Sequence, residues 1–361
     1  MSGAGGPLVL VGGAVAQRPG RGGHAWVFLQ WLLGLRALGC RVALVDRLLP
    51  GDKDDEDAQL AWLRTVLAPH DLPVLLVGRD PVPRADLLLD VMGYTGVDAD
   101  RRVFVDVDPG FGQLWAELGL HDPYGGYDAF VTVGTAVGQP SSAVPTRGLP
   151  WVPVLPPVHL PAWPVSAGGP AWTSVGSWRG PYGPVEHGGR SYGLRAHSFR
   201  RLLGIPAATG LDVAPALDLD DFDGADRQRL LDAGFRLTDP AEVAGTPAAY
   251  RAHVQGSAGE LCVAKELYVD TRGGWFSDRS ACYLASGRPV VAQDTGWTAA
   301  LPTGEGLLAF SDTASAVAAL EAVTAEPARH ARAARDLAEA HLSAGVVLPP
   351  LLDRLGAAVL V

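Results

Sequence analysis

A glycine-rich turn that leads into a helix and then into a buried strand constrains the fold of this chain more than any other segment. Gly273, Gly274 and Ser277 precede a stretch with helical apolar spacing, Gly287 ends that stretch, and residues 289–292 form a short apolar run. A helix that begins after glycines presents unpaired backbone N–H groups and a partial positive charge, which together attract an anion. The segment predicts an α/β domain with a phosphate-binding turn.

Charged side chains surround this turn. Arg279 would lie in the first turn of the helix, where a cation is unfavourable unless an anion accompanies it. Glu260 is expected in a polar loop with Lys265 just behind it, and Lys265 is one of only two lysines among 29 basic residues. We predict that Lys265, Arg279, Ser277 and Asp278 contact a diphosphate. A surface position for Lys265, and a cap or ion pair between Asp278 and Arg279, are the alternatives.

Length and charge restrict the function classes. The chain has 361 residues, which suits two domains, and a net charge of −10, which argues against a nucleic-acid partner. No apolar run approaches the roughly 20 residues of a membrane span, and no signal peptide is evident, so we expect a cytoplasmic protein without integral membrane contact. Three cysteines lack zinc spacing. Abundant arginine suggests a GC-rich bacterial genome, and the oligomeric state stays open.

Short apolar runs alternate with helical patterns along the chain, which is typical of parallel sheets buried on both faces. Strands are predicted near residues 8–11, 41–45, 74–77, 103–105 and 129–133, and a second α/β series follows residue 170. Prolines crowd the segment between the two series, where neither a helix nor a central strand can persist. The predicted segments are an N-terminal acceptor-side α/β domain (1–155), a proline-rich linker (156–170), a C-terminal nucleotide-sugar-binding α/β domain (171–340), and a C-terminal segment that returns to the first domain (341–361).

Several motifs resemble a bacterial group of GT-B glycosyltransferases. They are TSVGSWRG (173–180), AKELYV (264–269), GWFSDRSACYLASGRPVVAQDTG (274–296) and LPTGEGLLAF (301–310), with VFVDVDPG (103–110) and VTVGTAVGQP (131–140) in the first half. The resemblance implies an α/β fold of two Rossmann-like domains that face each other across a cleft. It further implies a nucleotide-sugar donor, UDP-sugar favoured, held mainly by the second domain, and a small-molecule acceptor held mainly by the first.

The same resemblance implies transfer without a metal ion or another cofactor. One departure concerns a pair of glutamates that many retaining GT-B enzymes place eight positions apart along the phosphate helix. The matching positions here are Gly274 and Cys282, and neither is acidic. The stereochemical course of transfer therefore stays open.

Two residues of the first half are candidates for acid–base chemistry. His24 would begin the first helix and face the cleft, and an imidazole that titrates near neutrality can deprotonate an acceptor hydroxyl. Asp108 follows a strand end, where sites in α/β sheets gather, and would bind the acceptor or act as a base. The alternatives are a histidine bonded to backbone at the helix start, and Asp108 as the N-cap of a helix near Phe111.

Five further residues are predicted to contact the donor or the acceptor. Gly22 and Gly23 would let a phosphate or the acceptor approach the backbone closely, unless they form a plain turn. Trp178 would stack on the nucleobase, with a place in the core as the alternative. Arg179 is a third candidate cation, and Glu305 would meet sugar or ribose hydroxyls. A solvated loop position is the alternative for both.

Three other functions compete with glycosyl transfer. A sugar-nucleotide epimerase of the same fold would convert the donor without an acceptor, and a non-catalytic protein would bind a sugar or nucleotide only. A nicotinamide dehydrogenase is suggested by Gly20, Gly22 and Ala25, which match the dinucleotide fingerprint, and by Asp46 at the next strand end. The fingerprint glycines, however, belong at the tip of the first strand, whereas these lie well beyond Val11.

Overall fold

The first half of the chain forms one parallel sheet of seven strands. The computed structural model describes residues 6–180 and 182–357, so the outer ends of the predicted first and last segments (1–5 and 358–361) lie outside the described residues. The strands are β1 (Leu8–Gly12), β2 (Arg41–Asp46), β3 (Val74–Leu76), β4 (Leu87–Val91), β5 (Arg102–Asp106), β6 (Ala129–Thr132) and β7 (Trp151–Pro153). Their spatial order is β3-β2-β1-β4-β5-β6-β7.

Burial on both faces explains why these strands read as continuous apolar runs. Val11 on β1 lies opposite Leu44 on β2 and Leu89 on β4, and all three side chains are fully buried. Three helices connect the strands of this sheet: α1 (Gly22–Ala37), α2 (Lys53–Leu67) and α3 (Phe111–Glu117). Helix α2 begins where the Asp52 carboxylate accepts hydrogen bonds from two backbone N–H groups of the first turn.

The second half of the chain forms a parallel sheet of five strands. They are β8 (Trp172–Ser177), β11 (Val213–Asp218), β12 (Gly259–Cys262), β13 (Val290–Gln293) and β14 (Leu307–Phe310), in the order β11-β8-β12-β13-β14. A short antiparallel hairpin, β9 (Val185–His187) and β10 (Arg190–Tyr192), follows β8. Two parallel sheets with helices on their faces agree with the predicted α/β class of two Rossmann-like domains.

Ten helices among the described residues follow the linker. They are α4 (Arg195–Arg200), α5 (Ile205–Thr209), α6 (Gly224–Asp232), α7 (Pro240–Ala244), α8 (Pro247–Gln255), α9 (Glu266–Thr271), α10 (Asp278–Ala285), α11 (Thr313–Ala325), α12 (Pro327–Leu337) and α13 (Ala344–Arg354). A π-helical turn, Ala338–Leu342, separates α12 from α13. No helix in the described part of the chain is long and apolar enough to cross a membrane.

The chain passes between the two sheets twice, and the two crossings lie side by side. Val158 in the first crossing and Ser343 in the second form a parallel bridge. Helix α13 then packs against α1: a Cβ atom at Gly34 would lie 2.7 Å from Ala344 Cβ and 2.9 Å from Leu348 Cδ1. Glycine at this position is what allows the two helices to approach so closely.

The two halves also touch directly at the cleft. Backbone groups of Gly134 and Trp275 form an antiparallel bridge, and Ala143 N–H donates to the Thr271 carbonyl at 2.7 Å. The Trp26 indole N–H on α1 donates to the carbonyl of Pro247 at the start of α8 over 2.8 Å. The segment 271–275 of the second half is thus hydrogen-bonded to the first half in this structure.

Two predicted features of the fold were incomplete. Strand β4 was not predicted, although its sequence is a buried apolar run, and it occupies the centre of the first sheet. Glu260 lies on β12 and is fully buried, rather than in a polar loop as expected. Strand β7 ends at Pro153, which is compatible with a strand because β7 lies at the sheet edge.

Candidate functional site

A cavity of about 600 Å³ lies between the two sheets. Its walls come from the loop between β1 and α1 and from the carboxyl ends of β5, β8, β11 and β12, where ligand sites of parallel sheets are found. The predicted residues that line the cavity are Gly23, His24, Asp108, Lys265, Ser277, Asp278 and Arg279. Its size falls within the range of small-molecule sites.

Arg279 enters the cavity wall as one half of a buried ion pair. Its Nε donates to a carboxylate oxygen of Glu260, and its Nη1 donates to the Val175 carbonyl at 2.7 Å. Ser280 Oγ donates to the second Glu260 oxygen at 2.6 Å. Burial alone would lower the pKa of Arg279, but the Glu260 carboxylate holds it well above its usual value. The anionic partner that the sequence required is therefore Glu260, and the alternative ion pair with Asp278 does not form, although the Asp278 carboxylate does accept from the Arg279 backbone N–H.

Arg195 is a second buried guanidinium in the cavity wall, besides the exposed Arg18 and Arg21, and sequence reasoning missed it. It lies in the first turn of α4, where Nε donates to the Val263 carbonyl and Nη1 to the Ser177 carbonyl, each over 3.1 Å. No carboxylate within the described ranges forms an ion pair with it. Burial lowers its pKa, and the charge of Arg279 lowers it further. The prediction for Arg279 was based on a basic residue in the first turn of a helix. The same feature at the start of α4 would have identified Arg195.

Lys265 and Asp108 join the two halves of the molecule across the cavity. Lys265 Nζ lies 2.7 Å and 3.0 Å from the two Asp108 carboxylate oxygens, and the Tyr268 hydroxyl donates to the same carboxylate. The ammonium also lies over the Phe111 and Tyr268 rings. Burial lowers the pKa of Lys265, and the Asp108 carboxylate opposes that shift. Lys265 is thus not a surface lysine.

Asp108 is held in place by the end of β5. Asp106 accepts hydrogen bonds from the Asp108 backbone N–H at 3.0 Å, from the Gln113 amide at 2.7 Å and from the Thr132 hydroxyl at 2.8 Å. Burial raises the pKa of Asp106 to about 6, against those hydrogen bonds. Gly110, not Asp108, precedes the first residue of α3, so the alternative role of Asp108 as that helix's N-cap is wrong.

The first turn of α10 faces the cavity, as the sequence predicted. Ser277 caps the helix, since its hydroxyl accepts from the Arg279 N–H at 3.2 Å. The Asp278 carboxylate lies against the backbone N–H groups of its own turn, which is the position that the sequence assigned to phosphate. Burial raises the pKa of Asp278, against the attraction of Arg279. A phosphate at this helix end would therefore be adjacent to a carboxylate.

His24 lines the cavity but differs from the predicted base. Its Nε2 donates to the Ala14 carbonyl at 3.2 Å, and the ring packs edge-on against Phe28. Burial and the nearby Arg18 charge lower the pKa of His24 to about 4. The imidazole is therefore neutral near pH 7 and a weak base. The expectation of a group that titrates near neutrality was wrong.

Trp178 and Arg179 do not reach the cavity. Trp178 is fully buried beside Phe199, and its indole N–H donates to Asp226 at 3.1 Å, so the core alternative is the correct one. Arg179 Nε donates to the buried Asp223 carboxylate at 2.5 Å, and its Nη2 lies 3.5 Å from Asp226. It therefore anchors the end of β8 to the start of α6 rather than binding a ligand.

Gly22 and Glu305 also take other roles. A Cβ atom at Gly22 would lie 2.2 Å from the Thr246 carbonyl oxygen, and one at Gly23 would lie 2.9 Å from the Tyr250 ring. Both glycines thus permit close packing of α1 against the second half, and only Gly23 lines the cavity. Glu305 is half-exposed and pairs with Arg329 at 2.5 Å, away from the cavity. Its predicted contact with sugar or ribose hydroxyls has no support in this geometry.

Gly274 and Cys282, which occupy the positions of the two glutamates of many retaining GT-B enzymes, are each constrained by their surroundings. Gly274 has φ +76°, and a Cβ atom there would lie 2.4 Å from Thr135 Oγ1 and 2.6 Å from the Ala136 nitrogen. A glutamate cannot occupy this position while the first half stays in contact. Cys282 is buried, with its sulfur 3.5 Å from the Gln30 amide nitrogen. In the described ranges, no group of three or more His, Cys, Asp or Glu side chains is placed to hold a metal ion.

No protein-family model matches the chain, and a search of curated protein sequences returns no match. Solved structures do match over almost the whole chain. Anabaena Alr3699/HepE in complex with UDP and glucose gives a TM-score of 0.59 at 13% identity, covering 97% of this chain and 100% of that one.

Two other solved structures also match over almost the whole chain. An α-glucosyltransferase in complex with UDP-glucose and DNA containing an abasic site gives a TM-score of 0.57 at 12% identity, covering 97% and 99% of the two chains. AviGT4, a glycosyltransferase involved in avilamycin A biosynthesis, gives 0.53 at 15% identity and covers 97% of each chain. The shared architecture of two facing Rossmann-like domains identifies the fold of this chain as GT-B.

Proposed function

We propose that this protein is a glycosyltransferase that moves a sugar from a nucleoside-diphosphate donor to a hydroxyl group of a small-molecule acceptor. The donor would lie in the cavity between the two sheets, with its diphosphate at the carboxyl ends of β8 and β12. The fold supports this proposal, because the matching structures of Alr3699/HepE and the α-glucosyltransferase contain UDP or UDP-glucose. We therefore favour a UDP-sugar as donor.

The observation that carries the proposal is the state of Arg195. A buried guanidinium without a carboxylate partner is costly unless an anion neutralises it. Arg195 faces the cavity in that state, whereas Arg279 beside it is already paired with Glu260. A diphosphate would supply the missing negative charge. This assignment places the diphosphate at Arg195, with Arg279 and Lys265 as neighbouring cations.

The same cations would serve the chemistry. When the glycosyl bond breaks, charge develops on the leaving diphosphate oxygens, and fixed positive groups stabilise that charge. Lys265 would have to be shared between the diphosphate and Asp108, to which it is bonded in this structure. We propose that these side chains supply enough positive charge for transfer without a metal ion. Addition of EDTA to a working assay, expected to leave the rate unchanged, tests this point.

A small-molecule acceptor is the second part of the proposal. AviGT4 takes part in the biosynthesis of avilamycin A, whereas the α-glucosyltransferase was solved with DNA. The net charge of −10 on this chain disfavours a DNA acceptor, because duplex binding depends on neutralising phosphates with basic side chains.

A thermal-shift screen against UDP, GDP, dTDP, ADP and NADH tests the donor site. We expect UDP to raise the Tm, and we expect Arg195→Met to reduce UDP affinity by roughly tenfold to a hundredfold, since a charge-assisted hydrogen bond contributes about 1.5–3 kcal/mol. Arg332→Ala, at an exposed position on α12, is the matched control. Stabilisation by NADH alone, or equal UDP affinity in Arg195→Met, would contradict the proposed donor site.

An acceptor-free NMR time course with UDP-glucose separates the related functions. A transferase leaves the donor unchanged or hydrolyses it slowly, whereas an epimerase produces a second sugar nucleotide. A binding protein would retain the donor and give no product even when a panel of hydroxyl acceptors is added. Product formation that depends on an acceptor would support transfer.

A further inference from the structure

Asp218, the last residue of strand β11, places a carboxylate in the cavity wall next to the position proposed for the diphosphate. It lies opposite Ser177, the last residue of β8, in the register of these two parallel strands. The Ser177 carbonyl is one of the two that accept a hydrogen bond from Arg195. Because neighbouring strands lie about 4.8 Å apart, one strand spacing separates the backbone of Asp218 from the carbonyl that holds Arg195.

The Asp218 carboxylate has unused capacity to accept hydrogen bonds. Its Oδ2 lies 2.9 Å from Nη2 of Arg21, which belongs to the loop before α1 in the first half of the chain. No other residue in the described ranges donates to this carboxylate. An ionised carboxylate can accept about four hydrogen bonds, so two hydroxyl groups of a ligand could bind to Asp218 while its ion pair with Arg21 is kept.

The other carboxylates that line the cavity in the described part of the chain are less suited to bind hydroxyl groups. Asp108 is already bonded to Lys265, and the Asp278 carboxylate lies against the backbone N–H groups of its own helical turn. Asp220 is exposed and lies in the connection after β11 rather than on the strand. Asp218 combines a position fixed by strand pairing with acceptor positions that remain open.

An apolar surface lies beside Asp218 on the same side of the cavity. Helix α7 packs against β11 and β8, and its residues Pro240 and Ala244 line the cavity. The opposite side, at the end of β12, carries the Lys265–Asp108 ion pair instead. A nucleoside needs a carbon surface for its base and hydrogen-bond acceptors for its ribose hydroxyls, and the side at β11 offers both.

We propose that the Asp218 carboxylate accepts hydrogen bonds from the 2′- and 3′-hydroxyls of the donor's ribose, so that the protein selects ribonucleoside diphosphates over their deoxy forms. This inference rests on the proposed nucleotide-sugar donor. Dinucleotide-binding Rossmann domains also bind ribose through an acidic residue close to the strand that leads to the phosphate site. The sequence assigned such a contact to Glu305, which lies away from the cavity, and Asp218 is in a position to make it.

Calorimetric titration of the full-length protein with UDP, 2′-deoxy-UDP and 3′-deoxy-UDP tests the assignment. We expect each deoxy analogue to bind the wild type about tenfold to a hundredfold more weakly than UDP, since each lacks one hydrogen bond to a charged group. In Asp218→Ala the three ligands should bind with Kd values within about twofold of one another. Arg21→Gln, which removes the ion pair but keeps the carboxylate, should retain the discrimination.

Asp212→Ala is the matched control. Asp212 lies just before the other end of β11, pairs with Arg236 at 2.8 Å, and is 40% exposed, as is Asp218. This variant should keep both the UDP affinity and the discrimination. A wild type that binds either deoxy analogue as tightly as UDP, or discrimination that persists in Asp218→Ala, would overturn the inference while leaving the donor site in place. Failure of UDP to bind the wild type would instead remove the proposed donor site and this inference together.

Discussion

Two buried guanidinium groups face the same cavity in different electrostatic states. Arg279 donates to Glu260, which lies on strand β12, whereas Arg195 donates to two backbone carbonyls and forms no ion pair in the described part of the chain. A carbonyl orients a guanidinium without neutralising it. Arg279 is therefore neutralised by Glu260 beside the first turn of α10, whereas Arg195 retains a positive charge for a ligand.

The Asp108–Lys265 contact should be measurable as a coupling between the two halves of the molecule. Their side chains are 31% and 18% exposed, so solvent screens the pair only partly. We expect a double-mutant cycle with Asp108→Asn and Lys265→Met to give a coupling energy of about 1–3 kcal/mol in urea unfolding. Additive effects of the two substitutions would show that the pair contributes no net stability. The exposed pair Lys53–Asp57 is a suitable control cycle, with an expected coupling below about 0.5 kcal/mol.

His24 should make the protein less stable in mild acid. Its folded-state pKa is about 4 and its ordinary value is 6.5, so the unfolded chain binds a proton between these values that the folded protein excludes. The contribution to stability is fully present above pH 6.5 and is lost as the pH falls toward 4. Between about pH 7 and about pH 5, the free energy of unfolding should fall by about 2 kcal/mol less in His24→Gln than in the wild type.

Comparison of the two proteins isolates this effect from the other buried groups. Burial raises the pKa of Asp46 to about 6 and that of Asp106 to about 6, which favours folding as the pH falls, but both residues are present in each protein. Parallel pH profiles of urea unfolding for the wild type and His24→Gln would mean that His24 already titrates normally in the folded state.

The sequence predicted the kinds of chemical group in the cavity more accurately than it predicted the residues that supply them. Lys265, Ser277, Asp278 and Arg279 do line the cavity, because a turn–helix–strand segment fixes its own local geometry. Pairing partners depend on which loops from distant parts of the chain meet, so the contact between Asp108 and Lys265 was not predictable from spacing. The roles assigned to Trp178 failed for the same reason, since helices that cover a strand end are remote in sequence.

The end of strand β8 determines where Arg195 lies. A Cβ atom at Gly176 would lie 1.8 Å from Arg195 Nη1, so the absence of a side chain at this strand position leaves room for the guanidinium. The missing side chain at Gly176 therefore allows β8 to accommodate Arg195 in the cavity wall.

Gly176→Ala should separate ligand binding from stability. The clash is with the far end of a long side chain, which can move away, so the free energy of unfolding should change by less than about 1 kcal/mol. Displacement of the guanidinium should nevertheless raise the Kd for UDP about tenfold. Calorimetric titration with UDP and urea unfolding measure the two effects. Gly125→Ala, where an added Cβ meets no atom within 4 Å, is the control, and unchanged UDP affinity in Gly176→Ala would contradict the role of Arg195.

Most strands were predictable because a strand buried on both faces is a short run of apolar residues. The runs in β1, β2 and β5 lie between clear turn signals. Strand β4 was not predicted although it has an equally apolar sequence, Leu87–Val91. It follows a proline-containing loop, Asp86 precedes it and Asp90 lies within it, and aspartate is uncommon in strands. The buried Asp90 accepts hydrogen bonds from two backbone N–H groups and from Tyr127, partners that only the folded structure brings together.

Helices α1 and α13, the first and last helices in the described ranges, pack against each other. Gly34 on α1 lies against Ala344 and Leu348 on α13, and Gly34→Val would force these helices apart. Overpacking of this kind costs about 1–3 kcal/mol, although valine is otherwise a better helix residue than glycine. We expect a lower free energy of unfolding in urea for Gly34→Val and a change within about 0.5 kcal/mol for Gly125→Val. Equal stability would mean that α13 moves away without cost.

The contact between α1 and α13 also has a consequence for synthesis on the ribosome. The N-terminal sheet and α1 emerge first, but the side chains that cover this face of α1 belong to residues after Ser343. Apolar surface on α1 therefore stays uncovered until Ala344 and Leu348 have been translated. The first domain cannot finish folding ahead of the second, and a chaperone that binds nascent chains would find its target on α1 throughout that interval.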